Sequence, residues 1–281
     1  MGTALLRRLT ADAEPVRCLV RDPRRLGPDR VRVQIALGDL ADPPSFRNAL
    51  RGVRTVVHLA ASIRDQPQGS IEELNGIATW RLVHAAERAG VEHFVFFSAL
   101  SASTHDRTRF LRSKALAEDA VRESSLRTTI FAPSIVYSPA DRYVQLVGRL
   151  SLLPLMPVPG RGTALYQPIW SEDAADCVVA ALRNGDGDAR YELAGPETLS
   201  HERMVALISR AAGRERPRVR VPSPLVRATL RTAEALMKSK TPATWDEAEL
   251  LEVSMTSRKG TADAEALGVA PRPMAAVLGT R

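Results

Sequence analysis

Short apolar segments alternate with helical patterns over the first half of this chain, and this alternation is the feature that most limits its fold. The apolar segments predict strands at 15–20, 31–37, 55–60, 93–97 and 128–132. Helical patterns lie among them at 44–50, 71–89 and 109–122. Short apolar strands separated by helices are typical of a parallel sheet covered on both faces. We therefore predict an α/β protein with a doubly wound parallel sheet.

The chain opens with a helical pattern, in which Leu5, Leu6 and Leu9 share one face, and not with a strand. A helix that leads into a strand is the second half of a βαβ unit. In the strand order 3-2-1-4-5-6, the first strand is central, here between the strands that end at Val20 and Ala60. We therefore expect about 10–15 further residues upstream, carrying that strand and most of a glycine turn.

The pattern changes after Pro133, where residues 139–162 are rich in Pro and Gly. We predict a nucleotide-binding domain over 1–138 and a smaller C-terminal α/β lobe over 139–281, with 163–185 returning to the first domain. Within the second part, residues 224–238 place several apolar side chains on one helical stripe. We expect that stripe to be a core or interdomain face and not a membrane-binding one.

The chain is basic, with 39 Lys and Arg against 32 Asp and Glu and a net charge of +7. Its arginines are spread along the sequence, with a denser stretch from Arg210 to Arg231. No interleaved aromatic residues, zinc ligands or helix-turn-helix pattern accompany them, so we expect no nucleic-acid partner. A solvated arginine-rich face is the favoured interpretation. Docking of 210–231 on an acidic membrane or protein surface is the alternative.

Cysteine usage and hydropathy bear on the compartment. Cys18 lies in a predicted strand and Cys177 in a predicted helix, and two separate buried thiols are typical of a reduced, cytoplasmic protein. No apolar run reaches the ~20 residues that a membrane-spanning helix requires. We therefore expect a cytoplasmic protein without a transmembrane segment.

Isolated polar residues offer little independent chemistry. His58 lies within an apolar strand and is expected to be a core histidine, and the histidines show no metal-ligand spacing, so no metal is expected. We interpret Glu118, Asp119, Glu172 and Asp173 as helix-surface or first-turn acids rather than a glycosidase pair. The serines at 98–103 lack the Gly-x-Ser-x-Gly setting of a hydrolase.

Three segments carry a family resemblance. They are Gly-Asp-Leu at 38–40 followed by 56–61, the strand 94–98 followed by Lys114, and 167–175 followed by 191–197. In this order they resemble the atypical and extended short-chain dehydrogenase/reductase (SDR) superfamily. The likeness is greatest to NAD(P)-binding Rossmann proteins such as the complex I Rossmann-type accessory subunit and the NmrA-like regulators. It extends from Gly2 to about Leu278.

The resemblance implies where a dinucleotide would bind. Gly2 matches only the last glycine of the Gly-x-x-Gly-x-x-Gly turn, which permits close packing of helix and strand. The earlier glycines, which let the backbone reach the pyrophosphate, are not matched here. Asp39 and Leu40 match the position that brackets the adenine. The small-residue segment that passes the adenine ribose is matched by Leu59, Ala60 and Ala61, and the proline after the sixth family strand is matched by Pro133.

The resemblance also implies a choice between NADP and NAD. The turn after the second family strand accepts the ribose 2′-hydroxyl when it is acidic and a 2′-phosphate when it is basic. Arg21 occupies this position and Arg24 lies close by, which favours NADP(H). Two alternatives stay open: a solvated basic turn without a ligand, and a role for Asp22 in binding a ribose hydroxyl.

The implied catalytic centre departs from the family pattern. Active members place a tyrosine four residues before a lysine on one helix, so that the ammonium lowers the phenol pKa. Here the pair is Phe110 and Lys114, and a phenylalanine has no proton to give. The serine or threonine after the preceding strand is matched only by Ser98. The arginine that often precedes Pro133 is Ala132.

These residues imply an NADP(H)-binding protein with oxidoreductase activity on a small organic substrate between the two lobes. In that case Lys114 would orient the nicotinamide ribose, and substrate or water would supply the proton that Phe110 cannot. The alternative is a non-catalytic NADP(H)-binding protein that stabilises or regulates a partner.

Overall fold

The computed structural model describes residues 1–185, 187–237 and 241–279. Its α-helices are α1 (Gly2–Ala11), α2 (Pro43–Arg47), α3 (Ala78–Arg88), α4 (Arg109–Arg122), α5 (Arg142–Leu150), α6 (Ser171–Asn184), α7 (His201–Ala211), α8 (Ser223–Met237), α9 (Trp245–Leu250), α10 (Ala262–Ala266) and α11 (Met274–Val277). Its strands are β1 (Arg17–Val20), β2 (Gln34–Leu37), β3 (Thr55–His58), β4 (His93–Phe97), β5 (Arg127–Pro133), β6 (Val136–Tyr137), β7 (Met156–Pro159), β8 (Leu165–Tyr166), β9 (Ile169–Trp170), β10 (Ala189–Leu193), β11 (Leu199–Ser200) and β12 (Arg218–Val221). Turns of 3₁₀ helix cover Pro23–Arg32 and Asn48–Leu50, and a π-helical segment covers Glu73–Ile77.

The central sheet has the strand order β3-β4-β5-β10, and its strands run parallel. Every residue of β4 is buried, as the continuous apolar segment predicts for a strand covered on both faces. Val95 and Phe97 point to a cluster formed with α1 and α6, whereas Phe94 and Phe96 point to a cluster formed with α2, α3 and α4. This confirms the predicted α/β fold with helices on both faces of a parallel sheet.

Strands β1 and β2 form a separate parallel pair, in which Leu19 lies beside Ala36. Within the described residues, no hydrogen-bonded strand joins β1 to β3. The strand predicted to begin at Val31 starts only at Gln34, because Pro23–Arg32 forms 3₁₀ turns that leave Val31 82% exposed. The further strand expected upstream, between β1 and β3, stays a prediction.

The later part of the chain surrounds a third apolar cluster. Its largest buried members are Tyr137, Met156, Tyr166 and Met204. Short strand pairs frame it: β7 with β12, β8 with β11, and β6 with β9. The division into domains 1–138 and 139–281 stays a prediction.

Helix α8 corrects one expectation. The stripe over 224–238 was expected to be a core or interdomain face, yet no side chain of α8 is buried. The helix packs along one side only, and Leu225 and Leu236 on the other side are 55% and 80% exposed. The expected end of this helix at Lys238 lies outside the described residues.

One further burial prediction needs correction. Cys18 is only half-buried, because β2 is the one strand hydrogen-bonded to β1 in the described chain, whereas Cys177 is buried as expected. Asp173 is a first-turn acid of α6, which is one of the two predicted settings, and it is buried there in a pair with Arg272 at 2.6 Å. In the described part of the chain, no helix is long and apolar enough to cross a membrane.

Candidate cofactor and active site

The ends of β1 and β2 bring Arg21 and Asp39 together. Arg21 Nη1 lies 3.6 Å from Asp39 Oδ2, and the two side chains are 48% and 27% exposed. The turn between β2 and Asp39 requires Gly38, since a Cβ there would lie 2.9 Å from both Leu19 Cδ1 and the Ser45 carbonyl oxygen. Asp39 Oδ1 accepts a hydrogen bond from Ala41 N at 3.0 Å, which orients the carboxylate. A partly exposed guanidinium is thus held at the carboxyl edge of the strands.

The neighbouring carboxylate in this turn is already engaged. Asp22 accepts hydrogen bonds from the backbone N and the Nε of Arg24, both at 3.0 Å. These bonds lower the pKa of Asp22 below its ordinary value. Arg24 is 84% exposed and contacts Asp22, so the two residues form a local pair beside Arg21. Asp22 is therefore less suited than Arg21 to meet a ribose substituent.

The first turn of α1 lies against the end of β3. A Cβ on Gly2 would lie 3.8 Å from Leu59 Cδ1, in ordinary contact. The turn contains no acidic residue, and no side chain caps its N–H groups. Free N–H groups and the helix dipole favour an anion at such a terminus. Gly2 and Leu59 are thus brought together as the resemblance implies, and Ala60 and Ala61 follow Leu59 as exposed residues.

The residues for the adenosine half of a dinucleotide fit that group, because Gly2, Arg21, Asp39 and Leu59 all follow strand ends or begin a helix on the carboxyl edge of the sheets. Leu40 lies half-buried beside the apolar cluster of α2 and α3. Pro133 is different: it is buried at the end of β5, and its carbonyl oxygen accepts from Leu100 N at 2.8 Å.

Lys114 is enclosed in the core next to the expected nicotinamide end. It is 3% exposed, and its Nζ donates a hydrogen bond to the carbonyl oxygen of Phe97. The ammonium lies 4.6 Å from the centre of the Phe96 ring and 6.0 Å from that of Phe110. Burial lowers the pKa of Lys114 to about 7. The family contact between this lysine and a ribose would require Nζ to leave the Phe97 carbonyl.

Ser98 is paired internally as well. Its hydroxyl donates to the carboxylate of Glu118, and both residues are buried. Glu118 also accepts from Arg122 and, at 2.9 Å, from Nε of Arg190. Glu118 was expected to be a helix-surface acid, and this is wrong. The carboxylate is buried because Arg190 on β10 and Arg122 on its own helix compensate its charge.

A buried polar chain that was not predicted from the sequence begins at His58. Thr79 Oγ1 donates to the Asn75 carbonyl oxygen at 2.5 Å and lies 2.9 Å from His58 Nε2, so the histidine must donate to it. Asn75 Nδ2 donates in turn to the carbonyl oxygens of Ser62 and Ile71, both at 2.7 Å. Burial and the charge of Lys114 lower the pKa of His58 to about 3.

A hydrogen bond from a side chain to the backbone accounts for the π-helical segment Glu73–Ile77. Asn75 uses its side chain to bond the Ile71 carbonyl, one turn earlier, and so competes with the regular backbone ladder. The pair Asn75-Gly76 inside a predicted helix was the available signal, since both residue types are poor helix formers. As expected, His58 is a buried core histidine.

This fold and this strand-end site define a Rossmann-type NAD(P)-binding protein. Residues 1–185 match the family described as NAD(P)H-binding, and the chain belongs to that family. The predicted likeness to a complex I subunit is confirmed, because the curated relatives that the chain matches include such a subunit as well as an NAD(P)H azoreductase.

Two curated relatives and one solved structure illustrate the match. The chain is 31% identical over 199 residues to "NADH dehydrogenase [ubiquinone] 1 alpha subcomplex subunit 9, mitochondrial" of Arabidopsis thaliana, covering 68% of this chain and 48% of that protein. It thus spans about half the length of the plant relative. It is 30% identical to the NAD(P)H azoreductase of Xenophilus azovorans, covering 76% and 71%. A nucleoside-diphosphate-sugar epimerase from Staphylococcus aureus superposes with a TM-score of 0.75 at 19% identity, covering 99% of this chain and 95% of that one, which shows the fold.

Proposed function

We propose that this protein binds NADP(H) in preference to NAD(H) and transfers hydride between it and a small organic substrate. The observation that carries the proposal is the Arg21–Asp39 pair, 3.6 Å apart at the strand ends. A planar guanidinium binds phosphate oxygens through parallel hydrogen bonds and discriminates a 2′-phosphate from a hydroxyl. Asp39 holds the guanidinium at the edge, and Arg24 neutralises the competing carboxylate of Asp22.

The residues at the reacting end constrain the substrate. When bound, NADPH supplies a hydride. Phe110 cannot deliver the accompanying proton, and the hydroxyl of Ser98 is donated to Glu118. A substrate that takes its proton from water, such as a quinone or an azo compound, is therefore favoured over a simple ketone, which needs an acid at its oxygen. The identity of one relative as an NAD(P)H azoreductase supports this choice.

The cofactor preference is tested by titrating NADPH and NADH against intrinsic fluorescence, in the wild-type chain and in Arg21→Ala. We expect the variant to bind NADPH about tenfold more weakly, by loss of about 1.5 kcal/mol from a charge-assisted pair, with NADH binding little changed. Arg88→Ala is the matched control, because that exposed arginine lies in a different helix, at the end of α3. Tighter binding of NADH than of NADPH by the wild-type chain would contradict the proposal.

Turnover is tested with quinone, azo and carbonyl substrates. We expect NADPH oxidation with the first two classes and none with simple carbonyls. Phe110→Tyr restores the family spacing to Lys114 and should add measurable carbonyl reduction. Carbonyl reduction by the wild-type chain as fast as quinone reduction would refute the substrate class.

A second candidate, a non-catalytic NADP(H)-binding accessory protein, is favoured by a specific observation. Both hydrogen-bonding side chains at the expected catalytic position, Lys114 and Ser98, are engaged internally, to Phe97 and Glu118. The relative that is a complex I subunit supports association with a larger assembly. NADPH binding without turnover on any of the three substrate classes would select this candidate over the enzyme.

Compartment and substrate position complete the proposal. The free thiols Cys18 and Cys177 support a reducing compartment such as the cytoplasm. We place the substrate between residues 1–138 and the C-terminal lobe, where the strand ends of the sheet face the later part of the chain.

A further inference from the structure

Helix α8 is attached to the molecule along one side only. Glu234 accepts a hydrogen bond from Trp245 N at 2.6 Å, and the Arg227 guanidinium lies 5.4 Å from the centre of the Trp245 ring. Val226 and Leu230, on the same side, are only half-buried. The helix therefore packs on α9, and the rest of its surface faces solvent.

The strip of α8 opposite Glu234 carries no charge. At 3.6 residues per turn, the positions opposite Glu234 form one continuous strip. Its members are exposed and either apolar or neutral: Leu225, Ala228, Thr229, Thr232, Ala235 and Leu236. Leu225 and Leu236 stand at its two ends, 55% and 80% exposed and about 16 Å apart along the axis. We refer to these six residues as the outer face of α8.

Arginines border the outer face. Arg227 and Arg231 line an open groove of about 410 Å³ between α8 and Trp245. Within the described residues neither has an ion-pair partner, whereas Arg218 and Arg220 on β12 pair with Glu202. The segment 216–233 contains no acidic residue, and Glu234 is turned toward α9. Apart from Glu234, every residue of α8 is therefore neutral or positive.

We propose that α8 is an interfacial helix that lays its outer face on an anionic lipid bilayer. Two leucines among small neutral residues allow shallow insertion, and the arginine border supplies attraction to acidic headgroups. A helix that lies parallel to the membrane surface does not need the length of a membrane-spanning helix. The inference does not depend on the proposed hydride transfer.

The test is co-sedimentation of the full chain with vesicles. We compare pure phosphatidylcholine with an equal mixture of phosphatidylcholine and phosphatidylglycerol, at low and high salt. Binding is expected only to the anionic vesicles and should fall at high salt. The double variant Arg227→Gln/Arg231→Gln should bind about 25-fold more weakly, at about fivefold for each cation near the surface. Leu225→Gln/Leu236→Gln should also lower binding.

Control variants show whether vesicle binding depends on α8 itself or only on the number of exposed leucines and arginines in the chain. Leu116→Gln removes a leucine that is 54% exposed on α4, and Arg88→Gln removes an exposed arginine from α3; both should bind vesicles as the wild type does. Unchanged unfolding temperature and NADPH titration would show that each variant is folded. The inference is overturned by equal binding to neutral and anionic vesicles, by unchanged binding in both double variants, or by no binding at all. The last result would leave an acidic protein as the occupant.

Discussion

Two buried ionisable side chains, those of Lys114 and His58, contact the ring of Phe96. Lys114 lies over the Phe96 ring, and His58 stacks on it at 5.7 Å. Burial disfavours the charged form of both side chains and lowers the pKa of each. Glu118 remains buried with two arginines as partners instead. Burial therefore disfavours charge on Lys114 and His58, whereas ion pairs compensate the buried charge of Glu118.

His58 makes stability depend on acid pH. Its pKa is about 3 in the folded chain, below the ordinary 6.5, so the unfolded chain binds the proton first as pH falls through this window. The free energy of unfolding should decrease from about pH 6.5 downward, by about 2 kcal/mol at about pH 5. We expect His58→Gln to remove this component, measured as a smaller difference between urea unfolding curves at neutral pH and at about pH 5.

The comparison between the two pH values cancels the fixed cost of the substitution. Glu and Asp residues that titrate in the same range contribute equally to both chains. His105→Gln, at an exposed turn position, serves as the control and should keep the wild-type difference. An undiminished difference in His58→Gln would show that this histidine does not report on folding.

At the scale of elements, a close approach between two backbone segments explains the glycine in the family-like segment 191–197. Gly195 follows β10, and its N–H donates to the Gln167 carbonyl oxygen at 3.0 Å. A Cβ there would lie far inside contact distance of the Pro168 carbonyl oxygen. Because the obstacle is the backbone carbonyl group of Pro168, it cannot move aside without shifting the chain around it. The close approach holds residues 191–197 against residues 167–170. These two segments are distant in sequence but belong to the same motif.

Gly195→Ala should therefore destabilise the chain by about 2–4 kcal/mol, through strain between two backbone segments. Gly148→Ala is the opposite case. Gly148 lies within α5 and has nothing within 4 Å of a Cβ, so alanine should be neutral or stabilise by up to about 1 kcal/mol. Urea unfolding of both variants measures the difference. Equal stability of the two would contradict the close approach.

At the scale of the whole molecule, ion pairs and hydrogen bonds join the last third of the chain to the sheet domain. Arg64, beyond β3, pairs with Glu247 of α9 at 2.6 Å, and the side chains are only 11% and 16% exposed. Ser134, after β5, donates to the Met255 carbonyl oxygen at 2.6 Å. Arg272 reaches Asp173 of α6. These contacts bring the later segments over the carboxyl edge, where the cofactor residues lie.

Removing the Glu247 carboxylate should loosen this connection. We expect Glu247→Ala to cost about 2–4 kcal/mol, because it leaves a largely enclosed Arg64 without its partner and also breaks the capping box of α9 with Thr244. Urea unfolding measures the cost, and hydrogen exchange should show faster exchange in α9. Glu215→Ala, which removes an exposed pair with Arg210, should cost less than about 0.5 kcal/mol. A similar loss in both variants would refute the joining role.

The sequence by itself determined the fold class and the strand-end positions of the candidate cofactor residues. Period-two and period-3.6 patterns are local, and the segment 93–97, apolar except for His93, indicates a strand covered on both faces. Once the strands are parallel, their carboxyl ends share one edge, so Arg21 and Asp39 had to lie near each other. The spacing of Phe110 and Lys114 likewise placed both on one helix face.

Only the tertiary structure decided which of these side chains are buried and what they contact. The sequence around Glu118 is typical of a surface acid. The carboxylate is buried because β10, more than seventy residues later in the sequence, places Arg190 next to it. The leucine stripe of α8 resembles a core face, but α9 covers only one side of it. The physical reason is the same in both cases. Burial and ionic compensation depend on which distant segments meet, and a local pattern records the periodicity of a segment but not its neighbours.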